Sequence, residues 1–200
     1  MAEIKRKTKK KSQGAFLRDS IMTGISYMIP VIVGAGVIQA IAKALGGYDI
    51  GNHMDQIDTI AKAIMLLGQN MMNYVVPVIA AFIAYAMADK PGLAPGFVMG
   101  ALAGAINTGF VGGVVGGIMV GYFVLMLKKI KVPKAIQGIM PILVYPVVTT
   151  LVCGLLMYYV VGRPISWFMA WLTSGLMALS GGSRFVLGAV IGAMICLDHG

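Results

Sequence analysis

Long runs of apolar residues alternate with short polar segments along the chain. The first two runs cover residues 21–45 and 63–88, and a later run covers residues 139–162. Each is long enough to cross about 30 Å of hydrocarbon, because a helix rises about 1.5 Å per residue. Since the membrane core has no water to satisfy backbone groups, the pattern predicts an all-α integral membrane protein, a polytopic helical bundle.

Prolines interrupt these runs. Pro30 lies inside the first run and is expected to kink it, because a proline removes a backbone donor, and Pro77 lies at the centre of the second. Ahead of the first run, residues 15–20 are predicted to start an interfacial helix capped by Asp19 or Ser20. The sequence therefore predicts spans broken by glycine and proline.

A short polar segment, MADKPGLAPGF at residues 87–97, ends the second run. Asp89 and Lys90 are expected to stop the span at the membrane surface, and the two Pro-Gly pairs after them are expected to form a stiff bend. We interpret the segment either as a structural helix end or as a docking element. Its candidate residues are Asp89, Lys90, Pro91, Gly92, Pro95 and Gly96.

The glycine-rich residues 96–128 lie between Lys90 and a lysine cluster that begins at Lys128. Basic residues flank membrane spans on the cytoplasmic side, so this segment must enter and return on one side. Its 33 residues fall short of two crossings of about 20 residues each. We predict a re-entrant or short-helix hairpin that turns near Asn107, Thr108 and Gly109, with glycines spaced for close helix packing.

Composition excludes a soluble domain. The chain is 58% hydrophobic and 12% charged, with a mean hydropathy of +0.86, whereas about a quarter of the residues of a soluble domain are charged. The net charge of +9 is concentrated near the N-terminus, beside a span, which favours contact with a lipid bilayer over nucleic-acid binding. Cys153 and Cys196 lie in apolar runs without metal or redox spacing, so packing is their expected role and no metal or cofactor is expected.

Four stretches together resemble one family. AYAMADKPGLAPGFVMGALAG resembles a motif of the enzyme IIC permease component of the fructose-family bacterial sugar phosphotransferase system (PTS), with Lys90 where that family has arginine. LRDSIMTGISYMIPVIVGAG, NTGFVGGVVGGIMVGYFVLMLKK and LGAVIGAMICLDHG resemble further segments of the same family, the last with His199 in place of its usual methionine. The resemblance extends from about residue 17 to residue 200.

The resemblance implies a permease of the bacterial inner (plasma) membrane, multi-pass and with a cytoplasmic N-terminus. Such a permease binds a sugar, most commonly fructose, with mannitol-like or mannosyl compounds as alternatives. It presents the sugar to a phosphorylated enzyme IIB partner, has IIA as a further partner, and forms a homodimer. The phosphoryl group comes from IIB, so no phosphate-carrying catalytic residue is expected in this chain. The alternatives are a secondary transporter with broken helices and a truncated remnant that does not transport.

The residue pattern and the resemblance together predict a division of the chain. Residues 1–14 form a basic cytoplasmic tail, and residues 15–162 an N-terminal membrane region of the dimerisation type. Residues 163–183 are expected to form an interfacial amphipathic linker, and residues 184–200 to begin a sugar-binding region that is truncated here. The family's glutamate motif would lie beyond Gly200, so we expect this chain alone to be inactive in sugar phosphorylation.

Four polar residues are the candidates for sugar contact. Asp198 and His199 end an apolar run, and ionisable residues inside a membrane are functional by default. Carboxylates and imidazoles suit sugar hydroxyls because they form directed hydrogen bonds. Asn73 in the second span and Asn107 at the predicted hairpin tip are weaker candidates, since helix–helix hydrogen bonding and turn capping also explain them.

Overall fold

The computed structural model describes residues 12–54, 57–130 and 138–179, together with the isolated helical positions 188 and 192. All regular structure in this part of the chain is helical, which confirms the predicted all-α class. The helices are α1 (Gln13–Gly46), α2 (Ile60–Asn73), α3 (Val75–Ala88), α4 (Lys90–Ala105), α5 (Gly109–Leu127), α6 (Tyr145–Leu156) and α7 (Gly162–Leu179).

Four helical segments are long and apolar enough to cross a membrane among the described residues. They are Gln13–Gly46, Ile60–Ala88, Gly109–Leu127 and Met140–Gly175, which supports a multi-pass membrane protein. The 16 residues of α4 fall below that length. Helix α4 is as short as predicted for the hairpin, whereas α5, with 19 residues, is longer than predicted and is itself long enough to cross a membrane.

Helix α1 is continuous from Gln13, so the prediction that Asp19 or Ser20 caps a separate start is wrong. Ser12 occupies the position before the helix instead. The hydroxyl of Ser20 donates to the carbonyl oxygen of Phe16, 2.9 Å away and one turn earlier, so it is satisfied within the helix.

The second predicted span is broken between α2 and α3. Pro77 has no N–H to donate to the carbonyl of Asn73, four residues earlier, and its ring crowds that carbonyl. The helix accordingly ends at Asn73, and α3 begins at Val75 after Tyr74. Pro77, which was predicted at the centre of a span, therefore breaks the helix one turn before its own position.

Helix α3 is the centre of the bundle and presents two different faces. Ile79 and Ile83 lie on the face towards α1, where both contact the position of Gly24. Ala80 and Ala84 are fully buried on the face towards α4 and α5. The small side chains on the second face let two further helices approach the α3 backbone.

The segment predicted as a stiff bend is helical from Lys90 onwards, so that prediction is wrong. Pro91 lies in the first turn of α4, where its missing N–H would have had no helical acceptor. Pro95 removes only one further hydrogen bond, the one to the carbonyl of Pro91. The reversal of direction takes place at Asp89 alone, between Ala88 and Lys90.

Helices α4 and α5 form the predicted hairpin. The turn covers Ile106, Asn107 and Thr108, which confirms its predicted position near residue 107. The other end of the hairpin is closed, because the Lys128 ammonium contacts residues of the α3–α4 turn. Lys90 and Lys128 consequently lie at the same end of the hairpin, as the charge pattern predicted.

A helical run continues from Met140 through α6 and α7 to Leu179, with π-helical turns at Met140–Val144 and Met157–Val161. Cys153 is fully buried in the core, as expected of a packing residue. Helix α7 begins at Gly162 without a gap from the preceding turn, near the boundary at residue 163. The interfacial position of residues 163–183 stays a prediction.

Candidate functional site

Asp89 is the single residue that joins α3 to α4. Its backbone has φ 58° and ψ −157°, a region that is almost exclusive to glycine. Its N–H donates to the carbonyl of Tyr85 at 2.7 Å, and its carbonyl accepts from the N–H of Gly92 at 3.0 Å. An aspartate in this conformation costs on the order of 1–3 kcal/mol, and such positions cluster at functional sites.

Lys128, the residue after α5, is bound to this turn. Its Nζ donates to the carbonyl oxygen of Ala88 at 2.7 Å and to a carboxylate oxygen of Asp89 at 3.2 Å. The Ala88 carbonyl is one of the last in α3, where a cation is favourable for the helix dipole. The contact ties the end of α5 to the α3–α4 turn, and we call Asp89, Lys90 and Lys128 the charged turn.

The charged turn is open to solvent or to a partner. The Asp89 side chain is 84% exposed and that of Lys128 is 32% exposed, and Lys90 is also exposed. An exposed ion pair contributes little to stability, about 1 kcal/mol or less. Pairing alone therefore does not account for an aspartate in a backbone conformation that glycine would adopt more readily.

The remaining residues of the predicted docking segment are buried. Pro91, Gly92, Pro95 and Gly96 all face the protein interior. A Cβ added at Gly92 would lie 2.6 Å from the Ala84 carbonyl oxygen, so close packing at this position requires glycine. Of the six predicted residues, the structure leaves Asp89 and Lys90 as the accessible ones.

Glycines every fourth residue carry the contact between α4 and α3. They are Gly92, Gly96 and Gly100. A Cβ at Gly100 would lie 2.5 Å from both the Pro77 Cα and the Val76 carbonyl oxygen. On α5, a Cβ at Gly117 would lie 2.6 Å from the Ala80 carbonyl oxygen. The α5 glycines, whose spacing predicted close helix packing, thus include a position of backbone contact with α3, and the α4 glycines form a second such surface.

Asn107 lies in the turn at the far end of the hairpin. Its φ is 55°, a left-handed conformation that asparagine tolerates better than most residues. Its side chain is exposed, whereas the neighbouring Thr108 is buried and donates both its N–H and its hydroxyl to the Ala103 carbonyl at 2.9 Å. The conformation of the turn accounts for an asparagine here, and a sugar contact stays a prediction.

The structure separates the predicted sites. Asn73, exposed at the end of α2, lies near the end of α3 that is opposite to Asp89. The length of α4, about 24 Å for its 16 residues, separates Asp89 from the turn that contains Asn107. Asp198 and His199 lie outside the described residues, so their position relative to Asn73 and Asn107 is a prediction.

The loop between α1 and α2 carries a second group of ionisable residues. His53 and Asp49 approach to 3.2 Å, and the Lys62 ammonium lies 2.8 Å from the Asp58 carboxylate. The hydrogen bond from Lys62 lowers the pKa of Asp58 below its ordinary value. Both pairs link residues four apart along the chain, and all their side chains except that of Lys62 are at least half exposed, which is typical of local stabilisation of a loop.

The comparison with protein families identifies the chain. Residues 22–198 match the sequence model of the family described as "Phosphotransferase system, EIIC". The chain belongs to the EIIC family. The match includes the charged turn, the whole α4–α5 hairpin and the residues Asp198 and Asn73.

Relatives of this EIIC chain carry names of sugar transport components. It is 48% identical over 182 residues to the PTS system fructose-specific EIIB'BC component of Xanthomonas campestris pv. campestris, covering 90% of the chain and 31% of that protein. It is 42% identical over 193 residues to the PTS system 2-O-alpha-mannosyl-D-glycerate-specific EIIABC component of Escherichia coli, covering 95% and 29%.

A shorter relative gives the same family name. The EIIC chain is 39% identical over 146 residues to the fructose permease IIC component of Bacillus amyloliquefaciens, covering 72% of the chain and 48% of that protein. The chain thus spans between about a third and a half of the length of these curated relatives. No solved structure matches it.

Two features of the site were not predicted from the sequence. Lys128 was placed on the same side as Lys90 but was not recognised as the partner of Asp89, 39 positions away along the chain. The helical stripe of Gly92, Gly96 and Gly100 was not predicted either, because Gly92 and Gly96 were assigned to a bend. The four-residue spacing of these glycines in PGLAPGFVMG is a signal that could have revealed the helical packing of α4.

Proposed function

We propose that this chain is part of the membrane permease of a sugar phosphotransferase system. In this proposal it binds and translocates a fructose-like sugar, which a phosphorylated IIB partner then phosphorylates. The observation that carries the proposal is the EIIC family match over residues 22–198. The names of the relatives favour this function over a secondary transporter.

The IIB partner is supported by the composition of the relatives. The Xanthomonas and Escherichia proteins are named EIIB'BC and EIIABC components, so they combine IIB with IIC in one polypeptide. A IIB partner acts from the cytoplasm and needs an accessible cytoplasmic surface on the permease. We propose that the charged turn of Asp89, Lys90 and Lys128 is part of that surface, since its side chains are the exposed part of the α3–α4 connection.

The proposed orientation places the N-terminus in the cytoplasm. Gln13 at the start of α1 and Lys129 after the end of α5 line the same cavity, so both lie at the end of the bundle that carries the charged turn. Lys90, Lys128 and Lys129 meet there, and basic residues favour the cytoplasmic face. The turn containing Asn107 then points towards the outer face or into the membrane.

The sugar contacts belong to the same proposal. Asp198, His199, Asn73 and Asn107 are proposed to supply hydrogen bonds to sugar hydroxyls. Asn73 and Asn107 are both exposed, so their amides are accessible. Asp198 carries the largest expected effect, because its carboxylate accepts strong hydrogen bonds from hydroxyl groups.

A homodimer is also proposed, with α1 as a contact helix. Gly36, Ala40 and Ala44 lie four residues apart on α1 and are all exposed, and nothing lies within 4 Å of the position of a Cβ on Gly36. Small residues at this spacing allow close approach of a second membrane helix. The surrounding apolar side chains on α1, such as Val33 and Val37, are more than half exposed.

Phosphorylation of fructose in membrane vesicles tests the function. The complete reading frame that contains these residues is expressed in cells without their own fructose permease, and vesicles receive phosphoenolpyruvate with all the soluble components of the phosphotransferase system, IIA and IIB among them. We expect sugar phosphate to form only with phosphoenolpyruvate. Uptake that depends on an ion gradient and yields unmodified sugar would contradict the proposal.

Two variants in the same assay assign the residues. Asp198→Asn is expected to abolish sugar binding, while the matched control Asp58→Asn removes a carboxylate from the exposed loop before α2 and is expected to leave binding unchanged. Lys90→Gln is expected to raise the concentration of IIB needed for half-maximal rate without changing the affinity for sugar. Full activity of Asp198→Asn would remove this residue from the sugar site.

A further inference from the structure

A cavity of about 620 Å³ separates the first turns of α1 from the last turns of α5. We call it the α1–α5 groove. Its lining residues are Gln13, Phe16, Tyr122, Leu125, Met126 and Lys129. Neither the charged turn nor the proposed sugar contacts lie in this groove, so the transport function does not account for it.

The groove has a polar end and an apolar body. Lys129 follows Lys128, which binds the α3–α4 turn, so Lys129 lies at the end of the bundle that carries the charged turn. Tyr122 lies seven residues earlier on α5, about 10 Å deeper along the helix axis. Phe16 and Met126 supply apolar surface between them, while Gln13 adds an amide donor at the polar end.

This distribution fits an amphiphile with an anionic head. A lysine ammonium is a point charge that suits a phosphate group, and an apolar channel beneath it suits an acyl chain. Among the described residues Lys129 makes no ion pair, in contrast to Lys128, which is paired with Asp89. The charge of Lys129 is therefore available to a ligand.

The position of the groove indicates that the amphiphile is a membrane phospholipid. Its walls, α1 and α5, are both long and apolar enough to cross a membrane, so phospholipid surrounds them on that account. The basic end of the bundle belongs at the cytoplasmic leaflet, where anionic phospholipids create a negative surface potential. We propose that the α1–α5 groove binds one anionic phospholipid, with its phosphate at Lys129 and an acyl chain along Phe16, Tyr122 and Met126.

Native mass spectrometry of the purified chain tests this proposal. The chain is delipidated and then exchanged against mixed micelles of phosphatidylglycerol and phosphatidylethanolamine in equal amounts. One lysine near an anionic surface favours the charged lipid by about fivefold. We expect one phosphatidylglycerol per chain to be retained in preference to phosphatidylethanolamine by about this factor.

Two variants and a control assign the lipid to the groove. Lys129→Gln is expected to abolish the preference for phosphatidylglycerol, and Met126→Trp to fill the groove and reduce retention of both lipids. Lys90→Gln removes the same charge at the same end of the bundle, outside the groove lining, and is expected to keep the wild-type preference.

Several results would overturn the proposal. Equal retention of the two lipids by the wild type, or an unchanged preference in Lys129→Gln, would mean that only nonspecific boundary lipid is present. Displacement of the lipid by soluble glycerol phosphate would indicate an anion site without acyl recognition. A disulfide between two Met126→Cys chains in membranes would show that a second copy occupies the groove.

Discussion

Small residues on the α4–α5 hairpin and on α1 have the same four-residue spacing but opposite surroundings. Gly92, Gly96 and Gly100 on α4 are buried against the backbone of α3. Gly36 on α1 is exposed, and its face is open. The difference shows that a small-residue stripe predicts a surface for close approach, whereas the tertiary structure decides whether this chain or another molecule occupies that surface.

The largest expected effect comes from replacing one glycine by alanine in each of the two stripes, on α4 and on α1. Gly100→Ala places a Cβ 2.5 Å from backbone atoms of Pro77 and Val76, which must move. We expect a loss of about 3 kcal/mol in stability, at the upper end for overpacking. Gly36→Ala meets open space and gains roughly 0.5–1 kcal/mol in helix propensity.

Thermal unfolding of both variants, in a detergent that keeps the proposed homodimer dissociated, measures these two shifts. The matched substitutions differ only in their surroundings, so their unfolding temperatures should move in opposite directions. Comparable destabilisation by both variants would mean that the α3–α4 contact is not close, or that the Gly36 face is covered in the purified protein.

The second prediction concerns the backbone of Asp89. Glycine adopts φ 58° and ψ −157° without strain, so Asp89→Gly should be more stable than Asp89→Ala by about 1–2 kcal/mol. Both variants lose the contact with Lys128, so their difference isolates the backbone conformation. Chemical unfolding in detergent measures it, and equal stability of the two variants would contradict the observed turn.

Lys128→Met is expected to have a smaller effect. It removes the hydrogen bond to the Ala88 carbonyl and the ion pair with Asp89, but both are partly exposed, so we expect about 1 kcal/mol of destabilisation. Lys90→Met is the matched control at the same end of the bundle and should change the free energy of unfolding by less. A larger effect at Lys90 would mean that Lys90, and not Lys128, stabilises the α3–α4 turn.

The smallest effect concerns the loop before α2. The hydrogen bond from Lys62 holds the pKa of Asp58 below its ordinary value, so the pair stabilises the folded state above the unfolded pKa of the carboxyl group. That contribution is lost as the pH falls through the folded pKa. Carboxyl NMR titration of Asp58 should show the low value and its return towards normal in Lys62→Met; an unchanged titration would refute the pairing.

The fold was predictable from sequence where the signal was local. Apolar length located the spans, and the lysines around residues 96–128 correctly predicted a hairpin that returns to the same end. The bend at residues 91–96 was predicted wrongly because Pro91 is compatible with the first turn of a helix and Pro95 removes only one helical hydrogen bond. Their helical role depends on how closely Gly92 and Gly96 pack against α3, which is tertiary information.

The candidate site was predicted only in part for the same reason. Asp89 and Lys90 stand out as charged residues in an apolar context, but the partner of Asp89 comes from the end of α5. Asn107 was identified at the hairpin tip from length alone, while its positive φ suggests a conformational reason for an asparagine there. The local sequence pattern predicts neither the long-range pairing of Asp89 with Lys128 nor the positive φ of Asn107.

Cysteine labelling of the two ends of the α4–α5 hairpin tests the central claim most directly. Lys90→Cys and Lys129→Cys are made in a cysteine-free background, with Tyr48→Cys in the exposed loop after α1 as the marker of the opposite face. We predict that a membrane-impermeant thiol reagent modifies both lysine positions from the cytoplasmic side and Tyr48→Cys from the other. Modification of positions 90 and 129 from opposite sides of the membrane would contradict a hairpin that returns to its starting face.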